Sequence, residues 1–450
     1  MSQQQFSILS TALELIGREE IQQRMLSIYK ETGRGKGTVV LVQGHSGIGK
    51  TSIVQWLKAP VEAENGVFVV GKFNQYHQNI PYYAVREALR KLWRIAYSSS
   101  RSKDVDIIGK VTDTLGVFGG VLAQLLPEMK PIFRDHHQID DASITPFEVR
   151  QRFMDAIKLF FKAVCSPENP VVVFIDDWQW ADQASMELLK EIKRDDELRY
   201  LMMIATYRDE EVDATHPLRA VISQLHRQEI SPEVLDIKGL DHAALKTMIV
   251  RVLGGPVNRL DRFARKIMAK TRGNPFYIKA FLEFLHIEKS LMYVSQKNIW
   301  DWDMGDDVPD DMEDLFVRRL NHFDQDSQDL ISLAACLGNK FDMSILSIIS
   351  DTSINLCRER LEPFTAFGFI LPAEEDRAVH DPPPEGSGNF QFLHDLVQQV
   401  AYLMMAPERL PQVHLKIGRL FLSQPERKKS FRTSCRSPQQ PWRGRKAWGF

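Results

Sequence analysis

The sequence predicts an α/β fold in which helices cover both faces of a parallel sheet. Four short runs of aliphatic and aromatic residues have the length and composition of buried strands, and helical patterns separate most of them. The runs are residues 38–42, 67–73, 171–175 and 200–206, and a weaker fifth run covers residues 234–237. Strands that alternate with helices in this way are typical of a parallel sheet. The 450 residues exceed one compact domain of ordinary size, so we expect several domains.

Composition and charge exclude several classes of protein. Hydrophobic residues make up 44% and charged residues 26% of the chain, which excludes a largely disordered protein. The formal net charge of −2 is the sum of two unlike parts, because residues 423–450 carry +7 and the preceding 422 residues carry −9. The negative part argues against a large contact with nucleic-acid phosphates. We expect the basic tail to be a disordered truncation or altered-frame end that lies outside the functional core.

The same survey indicates a soluble, cytoplasmic protein without a membrane partner. No apolar run approaches the ~20 residues that span a bilayer, and residues 1–10 lack the features of a signal peptide. The cysteines are far apart and show no zinc or disulfide spacing, so we expect free thiols at Cys165, Cys336, Cys357 and Cys435.

The first 239 residues contain most of the strand and helix pattern. Residues 1–14 are a polar lead-in, and residues 15–239 form the predicted sheet domain. Apolar residues recur at helical spacing from Glu19 to Lys30, and another helix follows the first strand and its glycine-rich turn until Pro60 ends it. Residues 93–146 are long and mixed in pattern, and we interpret them as a helical insertion.

The pattern changes after Leu240, where we expect the strands to stop. Residues 240–300 are predicted to form a helical lid. Residues 301–422 contain further helices and two short strands near residues 369–372 and 390–393. This order predicts a winged-helix-like domain.

A phosphate-binding loop follows the first predicted strand. Residues 44–51 fit G-x-x-x-x-G-K-[ST], with a strand before them and a helix after them, as in a P-loop NTPase. Glycines let backbone N–H groups surround phosphate oxygens, the lysine places a charge beside the β- and γ-phosphates, and the threonine hydroxyl ligates Mg²⁺. We predict that ATP or ADP binds to Gly44, His45, Ser46, Gly47, Ile48, Gly49, Lys50 and Thr51, with Lys50 also catalytic.

An acidic pair follows the third predicted strand. Asp176 and Asp177 come directly after an apolar run, which places them at the carboxyl edge of a parallel sheet, where ligands bind. We predict that Asp176 holds Mg²⁺ together with Thr51 and that Asp177 orients or deprotonates the attacking water. The alternative is a solvated strand end or a helix cap.

Five segments together resemble the STAND class of signal-transduction ATPases, a branch of the AAA+ P-loop NTPases that is close to origin-recognition-like AAA domains. They read IGRE at 16–19, DDWQWAD at 176–182, TYRD at 206–209, GNPF at 273–276, and QFLHD with QQVA at 391–395 and 398–401. The order matches the ATPase module of multi-sensor signal-transduction kinases over about residues 14–422.

The resemblance implies further site residues. Ile16, Gly17 and Arg18 are expected beside the adenine, and Pro275 is expected to pack on the adenine or ribose. Arg208 is expected to contact the γ-phosphate and report its presence, since a guanidinium after the fourth strand can bind a phosphate through two hydrogen bonds.

Simpler interpretations remain open for these segments. Gly17 and Arg18 could form a turn with a surface charge, and Arg208 could pair with Asp209 or Glu210. Residues 273–275 could be no more than the boundary where one helix ends and the next begins. We expect His394 to be a structural hydrogen-bonding residue, and Trp178 and Trp180 to be packing residues.

The sequence therefore predicts an ATP-binding signalling switch with slow Mg²⁺-dependent hydrolysis, coupled to movement of the lid and winged helix. A protein partner or effector domain is expected, and a homo-oligomer could form on ATP binding. The chain lacks the motif set of a protein kinase. The alternative is a nucleic-acid-binding AAA+ ATPase of the origin-recognition kind, whose winged helix would enter a groove. A small-molecule P-loop kinase would leave the last ~200 residues unexplained.

Overall fold

The computed structural model describes residues 15–73, 80–100, 107–133, 145–228, 230–304, 309, 311–372 and 388–423. These residues divide into two compact units. The sheet unit comprises residues 15–248 and 273–276, and the helical unit comprises residues 249–272 and the described residues from 277 onward. The predicted lead-in, the basic tail from residue 424 and parts of the predicted insertion lie outside the described residues.

Five parallel strands form the sheet of the first unit. Their order is β2-β3-β4-β1-β5, and each predicted strand is confirmed to within one residue at either end. The strands are β1 Thr38–Gln43, β2 Val67–Lys72, β3 Val171–Asp176, β4 Leu201–Tyr207 and β5 Glu233–Asp236. Because β1 and β3 both flank β4, the ends of these three strands meet at one edge of the sheet.

Apolar side chains cover both faces of this sheet, as the nearly continuous apolar strands predict. On β1, Val39 and Leu41 belong to one buried cluster, and Val40 and Val42 belong to another. The first cluster also contains Leu89, Leu92, Phe160 and Phe161, and the second contains Ile28, Ile53 and Val54. The alternation follows from the two-residue period of a strand.

Helices connect these strands. In chain order they are α1 Glu19–Gly33, α2 Lys50–Trp56, α3 Lys58–Ala63, α4 Tyr83–Ser100, α5 Ile107–Leu115, α6 Gly119–Leu125, α7 Pro146–Val164, α8 Gln183–Arg194 and α9 Pro217–Arg227. Capping residues fix two of the starts. The Thr145 hydroxyl and the Glu148 carboxylate form a capping box at α7, and Asp182 accepts the Ser185 N–H at α8.

The prediction that Pro60 ends the helix after the glycine-rich turn is wrong. That helix, α2, ends at Trp56, and Pro60 lies in the first turn of the next helix, α3. A proline is tolerated there because the first N–H groups of a helix have no partner within the helix. The break between the two helices therefore lies before the proline.

Beyond β5, the helices are α10 His242–Leu253, α11 Leu260–Thr271 and α12 Pro275–Ile287. The expectation that strands stop after Leu240 is wrong, because β6 Leu291–Val294 and β7 Ile299–Trp302 pair as an antiparallel hairpin. Each of these strands has only four residues, which is too short for alternation to be recognised in the sequence.

The remaining elements belong to the helical unit. They are α13 Met312–Leu320, α14 Gln325–Leu337, β8 Lys340–Asp342, α15 Met343–Ser350, α16 Ile354–Ala366, β9 Ile370–Pro372, β10 Asn389–Phe392, α17 Asp395–Leu403 and α18 Leu410–Ser423. The two predicted strands pair with each other, and the unpredicted β8 completes an antiparallel sheet of order β8-β10-β9. In the described part of the chain, every helix is too short or too polar to cross a membrane.

Candidate functional site

The glycine-rich loop connects β1 to α2 at the carboxyl edge of the sheet. Its glycines adopt positive φ angles: 149° at Gly44, 75° at Gly47 and 102° at Gly49. A Cβ atom on Gly44 would lie 2.5 Å from the carbonyl oxygen of Ile237, so any side chain there would clash with the backbone after β5. The loop can therefore keep this shape only with glycine at position 44.

Lys50 lies inside the loop rather than in solvent. Its side chain donates hydrogen bonds to the carbonyl oxygens of Gly44, at 2.5 Å, and His45, at 2.9 Å, and the residue is 7% exposed. Burial lowers the pKa of Lys50, and the carboxylate of Glu210 acts in the opposite direction. A cation held by two loop carbonyls is positioned to meet a phosphate bound by the same loop.

Thr51 and Asp176 meet between the loop and β3. The Thr51 hydroxyl donates to Asp176 Oδ2 at 3.0 Å, and the Thr206 hydroxyl on β4 donates to Asp176 Oδ1. Burial alone would raise the pKa of Asp176, but the Lys72 ammonium and the two hydroxyls outweigh it and lower the pKa. Asp176 is therefore held as a carboxylate beside a hydroxyl, and such a pair of oxygen donors suits Mg²⁺.

Asp177 has a different environment from its neighbour. It adopts a left-handed conformation with φ of 59°, and its carboxylate accepts a hydrogen bond from the Gln179 amide at 3.0 Å. Burial and the adjacent Asp176 carboxylate raise the pKa of Asp177. A carboxylate with a raised pKa is better suited than Asp176 to accept a proton from water.

Arg208 follows β4 and points toward the acidic pair. Its NH1 atom lies 2.8 Å from Glu211 and its Nε atom lies 3.7 Å from Asp177, while the guanidinium covers the Trp180 ring at 5.0 Å. The side chain is only 13% exposed. The sequence allowed a surface pair with Asp209 or Glu210, whereas the structure pairs Arg208 with Glu211 and brings its Nε atom near Asp177.

The segment Ile16 to Arg18 is fixed to the loop through the arginine. Arg18 donates to the carbonyl oxygens of Lys238, at 2.6 Å, and Ile48, at 3.1 Å, and it is 7% exposed. Gly17 has φ of 66°, and a Cβ there would lie 2.5 Å from the Cβ of Ala244. The proposed adenine-side segment thus contacts the backbone of the phosphate loop, with Ile16 half-buried beside it.

The GNPF segment also reaches the loop, but through a residue that the sequence did not single out. The Asn274 amide donates to the Ser46 carbonyl oxygen at 2.8 Å, and its side-chain oxygen accepts the Phe276 N–H at 3.1 Å. Pro275 is half-buried and is the first residue of α12. Asn274 therefore links the start of this helix to the phosphate loop.

The structure adds Lys72, Thr206, Gln179, Asn274 and Glu210 to the predicted site. Thr206 and Asn274 lie inside segments that carry the family resemblance, so the motifs held a signal for them. Gln179 lies inside the DDWQWAD segment, so that motif indicated it as well. Lys72 and Glu210 belong to no recognised motif, and only the sheet order and the loop geometry bring them to the acids and to Ser46.

The residues outside the site behave as predicted. His394 accepts the Leu396 N–H at 3.1 Å and caps α17, which confirms a structural hydrogen-bonding role. Trp178 is fully buried and packs edge-on against Phe73 at 5.3 Å. Trp180 supports the Arg208 guanidinium.

The donors at this edge fit a nucleotide phosphate and a magnesium ion. A carboxylate oxygen of Glu210 accepts the Ser46 N–H of the loop at 2.7 Å, which is direct evidence that the loop backbone binds an anionic oxygen. Lys50 and the loop N–H groups would hold phosphate, and Thr51 and Asp176 would hold Mg²⁺.

Comparisons with known proteins find a similarity in the part of the chain that contains the phosphate loop and the acidic pair. Residues 14–204 match the model of the AAA ATPase domain. The chain is 21% identical over 501 residues to hybrid signal transduction histidine kinase G of Dictyostelium discoideum, covering 90% of this chain and 14% of that protein. It is 24% identical over 203 residues to histidine protein kinase 1 of Candida albicans, covering 41% and 8%. The chain thus spans a small part of these relatives.

Solved structures that match the chain include a STAND protein with a tetratricopeptide repeat sensor from Pyrococcus horikoshii, at 14% identity and a TM-score of 0.44, covering 90% of this chain and 46% of that one. The ORC1 protein of Aeropyrum pernix in complex with DNA is 11% identical with a TM-score of 0.36, covering 90% and 98%.

Proposed function

We propose that this chain, which carries an AAA ATPase domain over residues 14–204, is an ATP-binding switch with slow Mg²⁺-dependent hydrolysis. The observation that supports it most directly is the contact between Thr51 and Asp176 at 3.0 Å beside the loop that holds Lys50. The proposed phosphate and magnesium ligands thus come from the start of α2 and the end of β3, and they meet at one edge of the sheet.

The side chains divide the chemistry according to their environments. Lys50 supplies a positive charge to the phosphates, and Asp176 and Thr51 supply oxygen ligands to Mg²⁺, which neutralises phosphate charge when it is bound. Asp177, whose pKa is raised, orients a water molecule and accepts its proton. The distance and angle that this water needs depend on the short aspartate side chain, so we expect slow turnover.

Coupling to the rest of the chain is proposed to start at two contacts. Arg208 reports the terminal phosphate from the turn after β4, and Asn274 connects the Ser46 carbonyl to the start of α12. A change at the loop would therefore alter the support of α12, in the part of the chain that we propose as the lid. The winged-helix-like region, residues 301–422, is proposed to move with it.

The output of the switch is proposed to lie in a partner or an effector domain. The curated relatives are histidine kinases, and this chain spans only 14% and 8% of their lengths. We propose that the nucleotide state of this module controls an attached or associated effector. Assembly of several copies of the chain on ATP binding is one way to transmit that state.

Nucleotide binding by the full chain tests the proposal. Isothermal titration with ADP and with a slowly hydrolysed ATP analogue should give saturable binding, and Lys50→Ala should weaken it by at least a hundredfold. Lys58→Ala is the matched control, because Lys58 is exposed and pairs with Glu62 on the same helix, α3. Equal affinity in Lys50→Ala and the wild type would refute the site.

Turnover is tested separately. Asp176→Asn should retain ADP binding in EDTA but lose Mg²⁺-dependent phosphate release, because the variant keeps the loop and loses a ligand charge. Unchanged phosphate release in Asp176→Asn would remove this carboxylate from the mechanism.

A further inference from the structure

A carboxylate from the turn after β4 occupies the phosphate loop. The Ser46 N–H donates to Glu210 Oε1 at 2.7 Å, and His45 Nδ1 lies 3.3 Å from Glu210 Oε2. This contact joins residues 164 positions apart in the chain. Both oxygens of one side chain are thus engaged by consecutive loop residues.

The same loop groups would bind a phosphate. Backbone N–H groups in a glycine-rich loop bind anionic oxygens, and a carboxylate and a phosphate compete for them because each donor can point at one oxygen. A nucleotide phosphate that enters the loop must therefore replace a negative charge that is already there.

We propose that Glu210 is an internal competitor for the phosphate loop, which a nucleoside diphosphate or triphosphate displaces on binding. The proposal rests on the proposed function, because it assigns a regulatory residue to the same site. Its thermodynamic consequence is a lower apparent affinity, since the loop is available only in the fraction of molecules in which Glu210 has left it.

Displacement of Glu210 links phosphate entry to the sensor arginine. Arg208 and Glu211 lie on the same turn as Glu210, and Arg208 NH1 contacts Glu211 at 2.8 Å while its Nε lies 3.7 Å from Asp177. Loss of the attachment to Ser46 frees the Glu210 side of this turn, while the Arg208 N–H keeps its hydrogen bond to Gln179 Oε1 at 3.3 Å. The competitor and the phosphate sensor therefore lie two positions apart on one turn, so that a shift of Glu210 changes the support of Arg208 from one side only.

Titration of the full chain with fluorescent ADP in EDTA tests this competition. EDTA matters because His45, Asp209 and Glu210 are close enough to hold a cation together. Glu210→Gln, which removes the charge, and Glu210→Ala, which also removes the acceptor, should each lower the Kd for ADP about tenfold. Asp209→Asn is the matched control, because Asp209 carries the same charge and lies 3.8 Å from His45. It should change the Kd less than twofold.

Adenosine separates competition for phosphate from a general change in the site. Its affinity should be the same in the wild type and both Glu210 variants, because it brings no anion to Ser46. The proposal is overturned if the Glu210 variants bind ADP no more tightly than the wild type, if Asp209→Asn matches their effect, or if adenosine binding tightens equally.

Lys50→Ala distinguishes this failure from failure of the proposed function. If Lys50→Ala no longer binds ADP while the Glu210 variants bind it as tightly as the wild type does, the nucleotide site is supported and the role of Glu210 as competitor is refuted. If Lys50→Ala and the wild type bind ADP with equal affinity, or if neither binds it, both the proposed function and the competitor role of Glu210 are refuted.

Discussion

The ammonium of Lys72 lies 2.9 Å from a carboxylate oxygen of Asp177 and 3.2 Å from one of Asp176. The parallel register of β2 and β3 pairs Lys72 with Asp176, which puts this cation beside both acids. Desolvation alone would lower the pKa of Lys72, but the two carboxylates outweigh it and raise the pKa. A single lysine therefore neutralises part of the charge of two adjacent buried aspartates.

Lys72→Met should destabilise the chain because it removes the cation that both carboxylates share. We expect the free energy of unfolding at pH 7 to fall by about 1–2 kcal/mol. This is less than the ~3–5 kcal/mol of a fully buried pair, because the Lys72 side chain is 55% exposed. Urea denaturation of wild type and variant measures the difference.

The pH dependence of this loss follows from the directions of the pKa shifts. The pKa of Asp176 is lowered in the fold, so its stabilisation is present above the unfolded pKa and is lost as the pH falls through the folded value. The difference between wild type and Lys72→Met should therefore shrink in acid. Lys91→Met, which removes an exposed cation paired with Glu87, should show neither the loss nor the trend. A pH-independent difference for Lys72→Met would contradict the pairing.

The sequence predicted the sheet and the phosphate loop because both are local patterns. An apolar run of five to seven residues identifies a buried strand by itself, and the loop motif identifies its own neighbours. Lys72 could not be assigned in this way, since it meets Asp176 only when β2 lies next to β3, and strand order depends on packing of the whole chain. The β6–β7 hairpin is local in sequence, but the sequence did not predict it because its strands are too short to show an alternating pattern.

Asn274→Ala should weaken nucleotide binding. The variant removes the hydrogen bond from Asn274 to the Ser46 carbonyl, and the loop then loses one of the contacts that hold its shape. We expect the Kd for ADP to rise about three- to tenfold in a fluorescence titration. Asn321→Ala is a suitable control, since Asn321 is an exposed residue at the end of α13. Equal affinities for the wild type and Asn274→Ala would show that the asparagine serves only the start of α12.

Buried Cys165 and half-buried Cys336 should resist alkylation in the folded chain. Burial raises the pKa of Cys336 to about 12, and it also raises the pKa of Cys165. Because the thiolate is the reactive form, iodoacetamide at pH 8 should modify both on the order of a hundredfold more slowly than it modifies an exposed cysteine peptide. Peptide mass spectrometry over time gives the rate at each position, and the urea-unfolded chain should react at the peptide rate. Rapid modification of the native chain would show that these thiols are accessible.

Arg319 in the helical unit provides a test of a buried cation. It is 4% exposed, its NH2 atom lies 3.0 Å from Glu283 and 3.4 Å from the Phe367 carbonyl oxygen, and its guanidinium lies 4.6 Å from the centre of the Phe369 ring. Burial lowers the pKa of Arg319, whereas Glu283 opposes this shift. The planar group therefore combines an ion pair, a backbone hydrogen bond and an aromatic contact.

Arg319→Lys keeps the charge but cannot reproduce this geometry, because an ammonium lacks the planar fork and the stacking face. We expect a loss of about 1–3 kcal/mol in the stability of the helical unit, measured by hydrogen exchange of its amides. Arg318→Lys is the matched control, since Arg318 is the preceding residue on α13 and makes an exposed pair with Asp314 at 3.3 Å. If Arg319→Lys keeps the stability of the wild type, the guanidinium of Arg319 acts only as a charge. A loss confined to Arg319→Lys means that its shape, and not its charge alone, stabilises the contact between α12, α13 and the backbone after α16.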